Sequence, residues 1–172
     1  MTLVPKTGLL PFLHRFPYYT TRNASWYETF TACVARPAAA LFLRQYTEWT
    51  PRDVVAHLIG WNHYTKTGCE QIKQGMVPFY LADADDDFRH VNALSVQTYA
   101  WAEKHTLIEA LLASFQELLR FLSTVSPEEW ETDYGVRYQG EPVTIANTVG
   151  ALSSDYLAHT KDIEIWVTSR NG

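Results

Sequence analysis

Thr50-Pro51-Arg52-Asp53-Val54-Val55-Ala56-His57-Leu58-Ile59-Gly60-Trp61 is the stretch whose reading decides the fold. Thr50 stands as a helix N-cap and Pro51 takes the first helical position, where its missing N–H costs nothing. Asp53, three residues after the cap, completes a Thr-x-x-Asp variant of the capping box. A helix started this way is expected to run to about Gln74, with Gly75 as its stop. Its apolar face carries a polar exception, His57.

The same arrangement returns near the C-terminus. A helix opening at Thr144 sets Ile145, Val149, Leu152, Tyr156, His159, Ile163 and Trp166 at alternating spacings of four and three, one continuous buried stripe. A second histidine, His159, therefore sits on a core seam. Asp155 lies four residues before it on the same helical face, about 5–6 Å away between Cβ atoms, so its carboxylate and the His159 imidazole can converge. A single histidine on an apolar face is ordinarily a satisfied core residue. Two of them with a carboxylate form a recurrent ligand set for a divalent metal that keeps open positions. A buried aspartate also needs a cationic partner. Asp162, three residues after His159, is a rival ligand or a hydrogen-bond acceptor for an imidazole N–H; its plainer reading is a solvated residue beside Lys161 and Glu164. Trp61 and Tyr64, four and seven residues after His57, form either one wall of a pocket or ordinary core packing.

Between these helices the chain also reads as helical. Residues 24–43 suggest a first helix with a kink or break at Pro37. A stretch from about Phe88 to Lys104 follows the acidic run Asp83, Asp85, Asp86 and Asp87. Thr106 and Glu109 make another capping box ahead of Ile108, Leu111, Leu112, Phe115, Leu118, Leu119 and Leu122. Ser126-Pro127-Glu128-Glu129 reads as a short turn, and Glu131 to Pro142, with Gly135 and Gly140, as a loop or small hairpin. Residues 1–22, rich in Pro, Tyr and Phe, form an irregular arm. The expected result is a single all-α domain over residues 1–172: a bundle of four long helices with an extra short helical segment.

Composition removes several classes of function. Fourteen basic against nineteen acidic residues give a net charge of −5 with no Lys/Arg cluster, so no nucleic-acid partner is expected. The two cysteines, Cys33 and Cys69, lack a CxxC spacing, and the N-terminal apolar stretch is interrupted by Pro11; the reading is a reduced, cytoplasmic protein without a secretion signal or membrane span. Asp83-x-Asp85-x-Asp87 is not an EF-hand, because Phe88 replaces the turn glycine and Leu94 the bidentate glutamate. No Gly-rich phosphate loop, G-x-S-x-G elbow or H-E-x-x-H occurs. Cys69 points away from His57 and reads as packing, and His14, His63, His90 and His105 have no partner at ligand spacing. The aromatic arm, with Phe12, Phe16, Tyr18 and Tyr19, is expected either to cover the bundle or to join a homodimer.

Trp49 to Trp61 resembles the W-[ST]-x-x-D-V-x-x-H-L signature of the DinB/YfiT-like superfamily, in which the histidine binds metal. Asp155-Tyr156-Leu157-Ala158-His159 is similar to that superfamily's last metal segment. Most members carry H-x-x-x-H there and the mycothiol-dependent maleylpyruvate isomerase branch carries E-x-x-x-H; this chain has Asp155 in the carboxylate position. His159-x-x-Asp162-Ile163 looks like the H-x-x-D-L of the same branch. The stretch from Asn92 to Val125-Ser126-Pro127-Glu128-Glu129-Trp130 is similar to the DfsB/ClbS-like branch. The resemblance covers about residues 24–167. It implies a four-helix bundle, often dimeric, holding zinc or nickel through His57, Asp155 and His159. It also implies either a thiol-dependent transferase or isomerase chemistry, with a low-molecular-weight thiol as cosubstrate and a small electrophile as substrate, or a binding or self-resistance protein of the DfsB/ClbS type. The self-resistance reading is marked by a deep pocket that the loop from Glu131 to Pro142 and the segment from Asn92 to Tyr99 would shape over the metal. The aspartate in place of glutamate or histidine, and the lack of the extra C-terminal domain of some isomerases, leave the isomerase activity itself without support.

Overall fold

The computed structural model describes residues 49–82 and 88–170, without the side chains at 51, 162, 165–167, 169 and 170. The arm at 1–22, the helix expected over 24–43, Cys33 and the acidic run lie outside the described residues. Within them the chain is predominantly helical: α1 (Pro51–Lys73), α2 (Phe79–Ala82), α3 (Arg89–Thr98), α4 (Lys104–Leu122) and α5 (Ile145–Arg170), with one antiparallel pair of short strands, β1 (Arg137–Tyr138) and β2 (Glu141–Pro142).

Helix α1 begins as its sequence dictates. The Thr50 backbone N–H donates to Asp53 Oδ2 at 2.7 Å, and the Asp53 N–H donates back to Thr50 Oγ1 at 3.4 Å. It ends at Gln74, where Gly75 turns out of the helix at φ +70°. Every residue from Val54 to Gly60 is buried. A helix buried on all sides belongs in the interior, and α1 packs against α3, α4 and α5 in turn.

The directions of these neighbours follow from the pairs that meet. Asn62 meets Ser114, Lys66 meets Glu117 and Lys73 meets Glu129, so α4 and the segment after it run parallel to α1. His57 meets both Asp155 and, ring to ring, His159, whereas Asn62 meets Tyr156; a rising number on α1 faces the earlier part of α5, and α5 is antiparallel. Helix α3 crosses α1 at very short range. A Cβ added at Gly60 would stand 1.9 Å from Ser95 Oγ, so the crossing requires glycine there.

Two boundaries differ from the sequence expectation. Helix α3 ends at Thr98, not near Lys104, and a tight turn through Tyr99, Ala100 and Ala102 follows. Helix α4 starts at Lys104 with Glu103 as an N-cap lacking a side-chain hydrogen bond, so Thr106 and Glu109 lie inside its first two turns and form no capping box. A tertiary contact explains both. The Arg52 guanidinium donates to the carbonyls of Ala100 (3.1 Å) and Ala102, holding the linker across the start of α1. The C-terminal helix starts as expected: Thr144 N–H donates to Asn147 Oδ1 (2.9 Å) and Asn147 N–H to Thr144 Oγ1 (3.2 Å). The Glu131–Pro142 segment is the small hairpin, turning through Gln139 and Gly140, both at positive φ.

Candidate metal centre

His57 and His159 reach the same point from two antiparallel helices, and both are buried. His57 Nε2 lies 2.8 Å from Asp155 Oδ2 and His159 Nε2 lies 3.4 Å from Asp155 Oδ1. One carboxylate thus bridges two imidazoles whose ring centroids are 5.3 Å apart at 82°. Of the three side chains the histidines are 6% exposed and Asp155 36%, so the group is reached from the aspartate side.

The electrostatics follow from this placement. Burial works to raise the Asp155 pKa, but the His57 hydrogen bond and the charges of His57 and His159 outweigh it, and the carboxyl is held below its ordinary 3.8. Asp155 is therefore anionic at neutral pH. His57 Nδ1 is buried with no hydrogen-bond partner among the described residues.

Two imidazole nitrogens and one carboxylate oxygen, all within 4.8 Å of one another, fit a first-row divalent ion in both donor type and compactness. Asp162 lies on α5, and its side chain falls outside the described residues. His63 lies on the surface, 3.8 Å from Glu117, and His90 and His105 are exposed; none approaches the centre. Cys69 is fully buried and burial pushes its thiol up to about 12, as packing requires.

Aromatic rings surround His57. Trp61 stands edge-on to it at 6.2 Å, and its indole N–H donates to Asn92 Oδ1 at 2.8 Å. Tyr64 packs behind Trp61 at 5.8 Å, with its hydroxyl accepting from Ser95 Oγ at 2.9 Å, so it supports the wall from behind. Tyr80 and Phe88 complete the ring of contacts around Trp61, at 5.2 and 5.6 Å. Sequence reasoning missed Trp49 as a member. Trp49 lies 5.0 Å from the His57 ring; its signal was its position just before the N-cap, from which an apolar residue folds back over the first turns of a helix. Asn92 belongs to the segment offered as a pocket wall, but its bond to Trp61 had no local signal, since only the tertiary crossing of α3 brings the two together.

The Glu131–Pro142 hairpin does not shape a pocket over this centre. Lys73 pairs with Glu129 at 2.7 Å, and Gly75 approaches Tyr134, so the hairpin sits by the C-terminal end of α1. His57 is sixteen residues before Lys73, about 24 Å along the axis at 1.5 Å per residue.

A predominantly helical fold among the described residues, with a compact His/Asp/His group, defines a candidate metal-binding helical protein. The profile of the mycothiol maleylpyruvate isomerase N-terminal domain matches residues 24–164, and the chain belongs to that family, a branch of the DinB-like superfamily. No curated protein and no solved structure matched the chain. Among the described residues no helix is long and apolar enough to cross a membrane.

Proposed function

We propose that this protein binds one divalent ion, zinc or nickel, through His57 Nε2, His159 Nε2 and the Asp155 carboxylate, and uses it to join a low-molecular-weight thiol to a small electrophile. One observation carries the reading: groups 98 residues apart in sequence converge on one carboxylate that stays partly open to solvent. Such an ion supplies Lewis acidity, which makes a thiol or a water a better nucleophile at neutral pH. The chain's own residues supply the rest. Trp49 and Trp61 screen His57 from water on two sides and offer apolar faces to an incoming ligand. Asn92 fixes the Trp61 indole, and the partly exposed Asp155 marks the entry side. The family's thiol-dependent isomerase supports the choice of cosubstrate class.

In this reading the protein is a DinB-like four-helix bundle working in the reducing cytoplasm. The test is metal analysis of protein purified without a histidine tag. Wild type is expected to hold about one ion per chain and His159→Ala far less; equal content in both removes the site. A screen of thiols with electrophilic acceptors then separates enzyme from binder. Turnover that stops on chelation supports the transferase or isomerase, and a metal-loaded protein without turnover points to a non-catalytic binding role of the DfsB/ClbS type.

A further inference from the structure

Just beneath the metal group lies a second buried polar cluster. Asn62 Nδ2 donates to Ser114 Oγ and to Tyr156 Oη, both at 2.9 Å; the Tyr156 hydroxyl donates to Asn62 Oδ1 at 3.1 Å, and Ser114 Oγ donates to the Leu111 carbonyl at 3.0 Å. Asn62 and Tyr156 are completely buried and Ser114 is 2% exposed. The three side chains come from α1, α4 and α5. Around them lie Leu58, Leu111, Leu118, Ile59 and Leu152, a setting in which leucine-like residues would pack without any demand for partners.

Hydrophobic burial has no direction, so apolar packing sets the height and rotation of a helix less sharply than hydrogen bonds do. In a closed hydrogen-bond set, a shift of one helix leaves a buried amide or hydroxyl unpaired. The cluster therefore fixes the height and rotation of α5 against α1. Its position decides what that fixes. Tyr156 directly follows Asp155 and precedes His159 by three residues, and Asn62 is five residues after His57. Without the lock, apolar packing alone holds α5 against α1, and the meeting of Asp155 and His159 with His57 is less sharply defined.

We propose that Asn62, Ser114 and Tyr156 are positioning residues that set the register of α5 on α1 and thereby assemble His57, Asp155 and His159. The inference rests on the metal reading only for its consequence in ion binding. The variants are Tyr156→Phe and the apolar double variant Asn62→Leu with Tyr156→Phe, which removes the lock without stranding the Asn62 amide. Three quantities are compared with wild type: the affinity for added zinc and for cobalt as a spectroscopic stand-in, the imidazole 15N shifts of metal-free protein, and the melting temperature.

The double variant is expected to melt near wild type while its zinc affinity falls about 10-fold or more, as for loss of groups that orient metal ligands. In the metal-free protein the His57 Nε2 signal should lose the imprint of its hydrogen bond to Asp155. A double variant with wild-type zinc affinity overturns the proposal. If wild type itself binds no ion, the metal reading fails, and the imidazole shifts decide this one: an unchanged His57 signal overturns it. Should the double variant not fold, Tyr156→Phe is judged by the same readouts, because Asn62 keeps its bond to Ser114.

Discussion

At the scale of single residues, Asp155 sets how the centre responds to acid. Its carboxyl is held below 3.8 because the attraction of two imidazoles exceeds the opposing effect of burial. A carboxyl whose folded pKa lies below its unfolded one contributes stability that is complete above the unfolded value and lost as pH falls through the folded one. Metal-free wild type is therefore expected to outlast Asp155→Asn in thermal melts at pH 6 and to lose that advantage as pH drops below about 4, where the unfolded carboxylate begins to protonate. A constant gap between the two melting curves from pH 6 to pH 3 would contradict the arrangement. Cys69 gives a simpler check. A thiol raised to about 12 and fully buried holds almost no thiolate at pH 8. In a Cys33→Ser background native protein should leave a thiol reagent unreacted over hours and consume one equivalent in denaturant; prompt native reaction would place Cys69 elsewhere.

At the scale of elements, two stretches of similar sequence behave differently, and the difference measures what local chemistry controls. Thr50 and Asp53 close a reciprocal cap, whereas Thr106 and Glu109 do not. Thr50→Ala should cost about 1 kcal/mol, the ordinary worth of an N-cap, and Thr106→Ala should fall within about 0.5 kcal/mol of wild type, as exposed positions do. Equal losses in chemical denaturation would mean that the α4 start is assigned wrongly. The same contrast explains how far the sequence could be read. Caps at Thr50 and Thr144, the stop at Gly75 and the stripe from Ile145 to Ile163 are encoded within a few residues of where they act, so they were legible. The ends of α3 and α4 depend on Arg52, about fifty residues away, and Asn92 reaches Trp61 only through the crossing that Gly60 permits. Long-range contacts leave no local pattern. His57, Asp155 and His159 were an intermediate case: helical spacing placed each on its face, and the antiparallel pairing that joins them became visible only in three dimensions. Filling the crossing is a further test. Gly60→Ala should destabilise by about 1–3 kcal/mol through overpacking, with much of the loss recovered by Ser95→Gly.

At the scale of the whole molecule, the described residues are arranged around α1, and the two ends of that helix have different tasks. His57 and the tryptophans around it lie in the N-terminal half, the hairpin at the C-terminal end. Residues 1–48 join α1 at the first of these ends. Their aromatic content, including Phe12, Phe16, Tyr18 and Tyr19, motivates a homodimer contact as the expected role of the arm. Light scattering of full chain and of a chain lacking residues 1–20 checks this. The full chain should have twice the monomer mass and the shortened one the monomer mass; two monomers, with the shortened chain much less stable, would make the arm an intramolecular cover.

Because α4 runs parallel to α1, the chain cannot join them by a short turn and must travel back along the bundle through residues 74–103 before α4 can begin. That return path brings Tyr80, Phe88 and Asn92 to the indole beside His57, while the three candidate ligands all come from α1 and α5. Topology thus divides the labour between two separate parts of the gene. Lengthening, shortening or recasting the return path alters the wall beside His57 and leaves His57, Asp155 and His159 in place. A scaffold organised this way can vary the surroundings of its His/Asp/His cluster while keeping the cluster itself.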